Sequence, residues 1–246
     1  MGGIYWRFKK IPIYLWRNHP KGSFLTRVAV LLSNKVFCTS KESFTARFKK
    51  TKIMPVGNDS SLFKPVPGVV RKKYSVCMLG RIAPVKNIML GLEAINILAK
   101  SGVQVSLDII GSPIERDRNY YDSLLKYVEE NKLASFVNFE KEVEFLKHPA
   151  VFSEYEITLN LTDSGSFDKT IVGATACGSI PVTTNESLKG VLPDVCITAN
   201  TDESVANSIK LLLNPHEQIK IQDDLKKFAD SHSLNELIKI LEIELK

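Results

Sequence analysis

Two short stretches carry residues whose types and spacing could do chemistry on an anion. In "GRIAPVKN" (80–87), Arg81 and Lys86 place two cations in a loop that leaves an apolar run and opens a helical pattern, and Gly80 permits a tight exit. Lysine supplies a point charge, arginine a forked set of donors, and a helix start free N–H groups, which together suit a diphosphate. In "TDSGSFDKT" (162–170), Ser164, Gly165 and Ser166 are small enough to let backbone amides approach a ligand. Asp168 or Ser166 can cap the helix that follows, and Lys169 adds a cation. A third stretch, "IIGSP" (109–113), puts Gly111 at a strand end, as any strand-to-helix turn does.

Other chemistries find no support. The first of the regular strands is not followed by the G-x-G-x-x-G of a nicotinamide dinucleotide fold, no G-x-x-x-x-G-K-[ST] occurs, and no nucleophile elbow is present. His19, His148, His216 and His232 show no metal-ligand spacing, so no metal site is expected. Cys38, Cys77, Cys177 and Cys196 lie far apart without a C-x-x-C pair and are expected to be buried free thiols in a reducing compartment.

The elements that must position these loops follow from the patterning. Apolar runs alternate with helical periodicity, the signature of an α/β fold with a parallel sheet. Strands are expected at 74–80, 103–111, 136–139, 156–161, 180–184 and 195–199. Helices are expected at 87–100 (Ile88, Leu92, Ile95 and Ala99 inward), 117–132 (Leu124, Leu125 and Val128 inward), 146–154, 169–177, 202–213, 216–229 and 233–245. The last carries Leu234, Ile238, Leu241 and Leu245 in register. Before residue 51 the chain reads as strand 11–16, helix 22–33, strand 35–40 and helix 41–49, with too few strands for a sheet of its own.

The segment 51–73, with three prolines and an RKK run, reads as a linker. The chain is therefore divided into 1–50, the remnant of one domain; 51–73, the linker; 74–230, a complete doubly wound domain; and 231–246, a closing helix. Its 246 residues carry a net charge of +6, which suits an anionic small ligand, nucleic acid or an anionic membrane without choosing among them. No run approaches the ~18 apolar residues of a membrane span. No signal-peptide core is seen, so a cytoplasmic location is expected.

Taken together, these stretches resemble the retaining glycosyltransferases of family 4, whose GT-B fold faces two Rossmann-like domains. "GRIAPVKN" is similar to the family's G-R-x-x-x-x-K, and "PVGNDSSLFKP" (55–65) to N-G-V-D-x-x-x-F-x-P through Gly57, Asp59, Phe63 and Pro65. "ATACGSIPV" (174–182) is similar to A-M-A-x-G-x-P-V with one extra residue before Pro181. "GSFDKT" resembles a G-S-x-D-K variant of the donor loop.

The resemblance implies a doubly wound Rossmann-like donor domain, preceded by the remnant of a second Rossmann-like acceptor domain in a truncated chain. It implies that Gly80, Arg81, Lys86, Ser164, Gly165, Ser166, Phe167, Asp168, Lys169, Thr170 and Gly173 bind a nucleoside diphosphate sugar, with no cofactor. His19, just after "IPIYLW", takes the place of the family's cleft histidine and is the expected catalytic residue. The acceptor would be a saccharide or lipid-linked glycan, with no nucleic acid partner. Two glutamates usual in the family align with Gly165 and Gly173, which puts nucleoside recognition in doubt. The residues leave two further readings open. One is a degenerate binder or half of a split enzyme needing a separate acceptor-domain chain or self-association. The other is a peripheral membrane module using Trp6, Phe8, Tyr14 and Trp16 beside Arg7, Lys9, Lys10 and Arg17. Alternation there favours a strand over a helix.

Overall fold

The structure, a computed structural model, describes residues 2–162 and 167–246. Strands β1 (Tyr14–Trp16), β2 (Lys35–Cys38) and β3 (Thr51–Ile53) form a parallel sheet in the order β1-β2-β3. Segment 51–53, expected as linker, thus supplies the third strand of a sheet that the sequence pattern did not anticipate. Its backbone groups pair with β2 in register Val36↔Thr51 and Cys38↔Ile53. Helix α1 (Gly2–Phe8) occupies a stretch expected to be extended, and α2 (Phe24–Leu32) lies between β1 and β2 in the chain. A capping box starts α2: Thr26 N–H donates to Ser23 Oγ and Ser23 N–H to Thr26 Oγ1. The expected helix 41–49 is a single 3-10 turn at Phe44–Arg47.

The second sheet is wholly parallel. It comprises β4 (Lys72–Leu79), β5 (Ser106–Ile110), β6 (Val137–Glu140), β7 (Tyr155–Asn160) and β8 (Ile180–Thr183), in the order β6-β5-β4-β7-β8. Helices α3 (Ile88–Lys100), α4 (Arg118–Glu130), α5 (His148–Glu154), α6 (Lys169–Ala176) and α7 (Asp202–Leu212) alternate with these strands or follow them. Two more, α8 (Pro215–Ser231) and α9 (Leu234–Glu244), close the chain. The expected strand 195–199 is a 3-10 turn, Asp194–Cys196, joined to β8 by the single bridge Thr183↔Ile197. Among the described residues no helix is long and apolar enough to cross a membrane.

The core forms because both faces of the sheet are apolar, as a parallel sheet covered by helices requires. Val76, Leu107, Ile157 and Val182 from four neighbouring strands are buried, and Leu92 and Ile95 of α3 pack into the same cluster. Each such side chain contributes about 1.5–3 kcal/mol by leaving water. Two inward stripes differ from the periodicity reading. In α4 Leu125 is exposed while Leu124 and Val128 are buried. In α9 Leu234 and Ile238 are exposed, as is Leu245 just past its end, and the inward row includes Leu237, which a Cβ on Gly57 would meet at 2.4 Å. Helix α9 lies there because Gly57 and Asn58 donate backbone N–H groups to His232 O, and Leu234 N–H donates back to Asn58 O at 2.7 Å. Its far end returns to the first sheet, where Lys35 and Lys52 pair with Glu244 at 3.3 and 3.5 Å. All four cysteines are free and buried.

Candidate functional site

In the second sheet, β4 lies between β5 and β7, so successive connections leave in opposite directions on either side of the β4–β7 pair. Open α/β sheets bind ligands beyond the carboxyl ends of the strands at such a reversal point. The two loops singled out in the sequence are the ones that leave these strands: 80–87 follows β4 and 161–168 follows β7.

The β4 exit is built on a backbone-to-backbone approach. Gly80 N–H donates to Ile110 O at 3.0 Å, and a Cβ on Gly111 would stand 1.9 Å from Gly80 O. Only glycine fits at 111, so "IIGSP" shapes the neighbouring exit. The chain then makes a 3-10 turn, Pro84–Lys86, and enters α3 through Asn87 in the left-handed region. Arg81 is exposed, and its guanidinium makes no hydrogen bond or ion pair among the described residues.

Lys86 is engaged. Its ammonium donates to Asp168 Oδ2 at 2.6 Å, joining the β4 loop to the start of α6. Asp168 is the N-cap of α6, accepting at Oδ1 from Thr170 N–H at 3.1 Å and from the Thr170 hydroxyl. The Thr170 hydroxyl in turn accepts from Asn160 Nδ2 at 3.0 Å. Burial alone would raise the Asp168 carboxyl; the Lys86 charge and the Lys86, Thr170 and Asn160 hydrogen bonds override it and hold it at about 2. Lys169, the first residue of α6, is exposed. Phe167 is half-buried, its ring 4.8 Å from His232 and 6.1 Å from Phe228. Ser164, Gly165 and Ser166 lie outside the described residues. The arrangement is chemically suited to an anion: one open guanidinium, one ammonium and a helix N-terminus at adjacent strand ends.

The family model for glycosyl transferases group 1 matches residues 59–232, most of the chain. The chain belongs to the group 1 glycosyl transferases. No curated protein sequence matches it. Solved structures confirm the fold of this glycosyltransferase. Anabaena HepE in complex with UDP and glucose is 19% identical with a TM-score of 0.82, covering 99% of this chain and 74% of that one. Sucrose-phosphate synthase from Thermosynechococcus elongatus is 17% identical with a TM-score of 0.78, covering 99% and 70%. The pneumococcal O-GlcNAc transferase GtfA in complex with UDP and GlcNAc is 16% identical with a TM-score of 0.75, covering 100% and 55%.

Two expected site residues of the glycosyltransferase have other surroundings. Gly173 is buried in α6, and a Cβ there would stand 3.0 Å from Phe63 Cδ1 and Cε1 and 3.5 Å from Phe152 Cε2. Position 173 therefore faces an aromatic cluster of Phe63, Phe145 and Phe152, and the expected approach of a ribose competes with that packing. His19 is exposed in the loop after β1, where Lys21 N–H donates to its Nδ1 at 3.0 Å. Nδ1 also lies 2.9 Å from Lys21 O, so Lys21 can engage either tautomer of the ring.

Sequence reasoning missed three features. The Lys86–Asp168 pair is one. The second is a pair of buried oxygens without partners among the described residues, Asn160 Oδ1 and Thr162 Oγ1, on residues that line a hollow of about 20 Å³ together with Lys86 and Arg81. The signal was present: Asn160 stands between Leu159 and Leu161 in the run "ITLNL" (157–161), where an apolar residue would be expected. The third is His232, half-buried against Phe167 and Phe228, where loss of water lowers its pKa from 6.5 to about 4. A larger hollow of about 740 Å³ lies between segment 58–71, the C-terminal end of α6 and α8. It opens near Ile180, where β8 begins, at the amino ends of the strands. The length of α6, about 12 Å, separates it from the two cation-bearing loops. The chemistry is assigned to the loops because the charges converge there.

Proposed function

We propose that this glycosyltransferase binds a nucleoside diphosphate sugar at the carboxyl ends of β4 and β7 and supplies the donor side of a retaining transfer to a saccharide or lipid-linked glycan. The observation that carries the reading is the junction of the β4 and β7 loops. Lys86 and Asp168 clasp across it, Arg81 stands open beside it, and the N-terminus of α6 points at it. HepE and GtfA, structures of the same fold, were solved with UDP, which supports a uridine donor. Arg81, Lys86, residues 164–166 and the helix end would neutralise the leaving diphosphate. The donor must share Lys86 with Asp168, so Lys86 arrives with half of its charge already answered. Phe167, Lys169 and Thr170 flank the same helix start, and His19 would line the acceptor side.

Titration calorimetry with UDP and UDP-glucose, with GDP- and ADP-glucose as comparisons, tests this. A charge-assisted hydrogen bond contributes roughly 1.5–3 kcal/mol, so Arg81→Ala or Lys86→Ala should weaken binding about ten-fold or more. Wild type and both variants binding equally well would overturn the placement of the phosphates.

A second reading, a nucleotide-sugar binder without transfer activity, is favoured by one observation. Both positions where the family resemblance places a glutamate hold glycine, and Phe63 closes the space at 173. Binding without release of free nucleoside diphosphate, across a panel of saccharide acceptors, would select it.

A further inference from the structure

The two oxygens left without partners, on residues that line one hollow with Lys86, have a chemical meaning that depends on which atom of Asn160 is which. Asp168 is ionised and can only accept. The single Thr170 hydroxyl proton therefore goes to Asp168 Oδ1, and the Thr170 oxygen can only accept from Asn160. Asn160 must then present Nδ2 to Thr170, which leaves Oδ1 as the free atom. Asn160 is only 7% exposed, and its Oδ1 has no partner among the described residues. Leaving a buried carbonyl oxygen unpaired costs about 1–3 kcal/mol, so such groups call for a partner.

The hollow that Asn160 lines with Thr162, Gly80, Arg81 and Lys86 has a volume of about 20 Å³, enough for one water-sized group. A phosphate oxygen cannot fill the role, because it accepts and Oδ1 also accepts. A hydroxyl can. Resting on the reading of the site as a nucleotide-sugar site, we propose that Asn160 Oδ1 accepts a hydrogen bond from a hydroxyl of the donor next to its diphosphate, making Asn160 a specificity residue. The chain from Lys86 through Asp168 and Thr170 to Asn160 ties the group that meets the diphosphate to the group that reads the hydroxyl. Thr162 Oγ1, the other orphan, can donate to a phosphate oxygen or accept a second hydroxyl. The hydroxyl belongs to the ribose or to the transferred hexose, and these two sources differ in which deoxy analogue reports them.

The test is calorimetry on the full chain with UDP-glucose, 2′,3′-dideoxyuridine diphosphate glucose, and UDP-glucose analogues each lacking one hexose hydroxyl. Wild type should bind one of these analogues about ten-fold more weakly than the intact donor. Asn160→Leu should bind the intact donor about ten-fold more weakly than wild type does, yet bind that analogue as wild type does, so the ratio falls to near one. Thr170→Val removes the hydroxyl that fixes the amide while leaving the backbone cap to Asp168, and should shrink the same ratio. It serves where Asn160→Leu does not fold. A role for Asn160 in structure alone would lower all affinities together and leave the ratio unchanged. Equal affinities of wild type for every analogue, or ratios that neither variant moves, would show that Oδ1 holds only a buried water and would overturn the inference alone. Failure of wild type to bind any of UDP-, GDP- or ADP-glucose would overturn the site reading and this inference with it.

Discussion

Gly173 shows how much depends on what surrounds a single residue. By alignment it stands where a carboxylate would meet a ribose, and an introduced glutamate would be expected to tighten binding. The surroundings reverse that expectation. A Cβ at 173 already reaches 3.0 Å from the Phe63 ring, and the next atoms of a longer side chain would have to displace Phe63 or Phe152, both buried. A carboxylate placed among these rings loses much of its hydration. Gly173→Glu is therefore expected to destabilise the protein by about 3 kcal/mol or more, measured by urea unfolding. Gly173→Ala should be nearly neutral, since a helix gain of up to ~1 kcal/mol offsets the tight contact. A glutamate variant as stable as wild type, with tighter nucleotide binding, would show that the helix turns this face to the ligand.

At the scale of elements, the β7 loop and α8 meet through aromatic rings. Phe167, at the end of the β7 loop, packs on Phe228 of α8 and on His232, whose carbonyl also receives the N–H groups of Gly57 and Asn58. The β7 loop, α8 and the segment that leaves the first sheet thus meet at one half-buried histidine, whose Nδ1 accepts from Val56 N–H at 3.4 Å. Burial lowers that imidazole to about 4 from 6.5, so the unfolded chain takes up a proton before the folded one does. Stability is complete above pH 6.5 and falls as the pH drops through the window between 6.5 and 4. Between pH 7 and pH 5 the expected loss from His232 is on the order of 2 kcal/mol. His232→Gln should flatten that part of the pH profile in denaturant titrations. An equal slope in both proteins would assign the pH dependence to other groups.

This junction also marks where the sequence was legible. Strands β4 to β8 and helices α3 to α8 were readable, because each carries a periodicity enforced by one continuous core. The turn at 195–199 was not, because an apolar run of five has the same pattern whether it pairs along its length or through one bridge. Arg81 and Lys86 were singled out by their charge type, by their loop between a strand and a helix and by the family resemblance. The Lys86–Asp168 clasp was invisible because its partners lie 82 residues apart and come from different strands. Likewise Gly173 could be aligned, but only the packed Phe63 says which way its missing side chain would point.

At the scale of the whole molecule, the first sheet and its helices leave much apolar surface in water. Helix α1 has no buried residue, and Phe8 on it is 84% exposed. Phe24, Leu25 and Leu31 of α2 are exposed as well, and so are Tyr14 and Trp16 on β1, whose outer edge pairs with no strand among the described residues. Patches beyond a few hundred Å² on a soluble chain commonly mark contact surfaces, and an open strand edge adds unpaired backbone groups. The same region carries Arg7, Lys9, Lys10 and Arg17, so two copies that meet through it repel one another at low salt. Self-association of the purified chain is therefore expected to increase as salt rises from 50 mM to 500 mM, where the Debye length shrinks to about 4–5 Å. Binding to anionic vesicles through the same residues would show the opposite dependence and weaken with salt. Light scattering across that series separates the two, and a double Trp6→Ser, Phe8→Ser variant should lower the apparent mass at high salt. A monodisperse monomer at every salt concentration would mean that α1 and the β1 edge, though apolar and open, are too small or too strongly charged to hold a second copy.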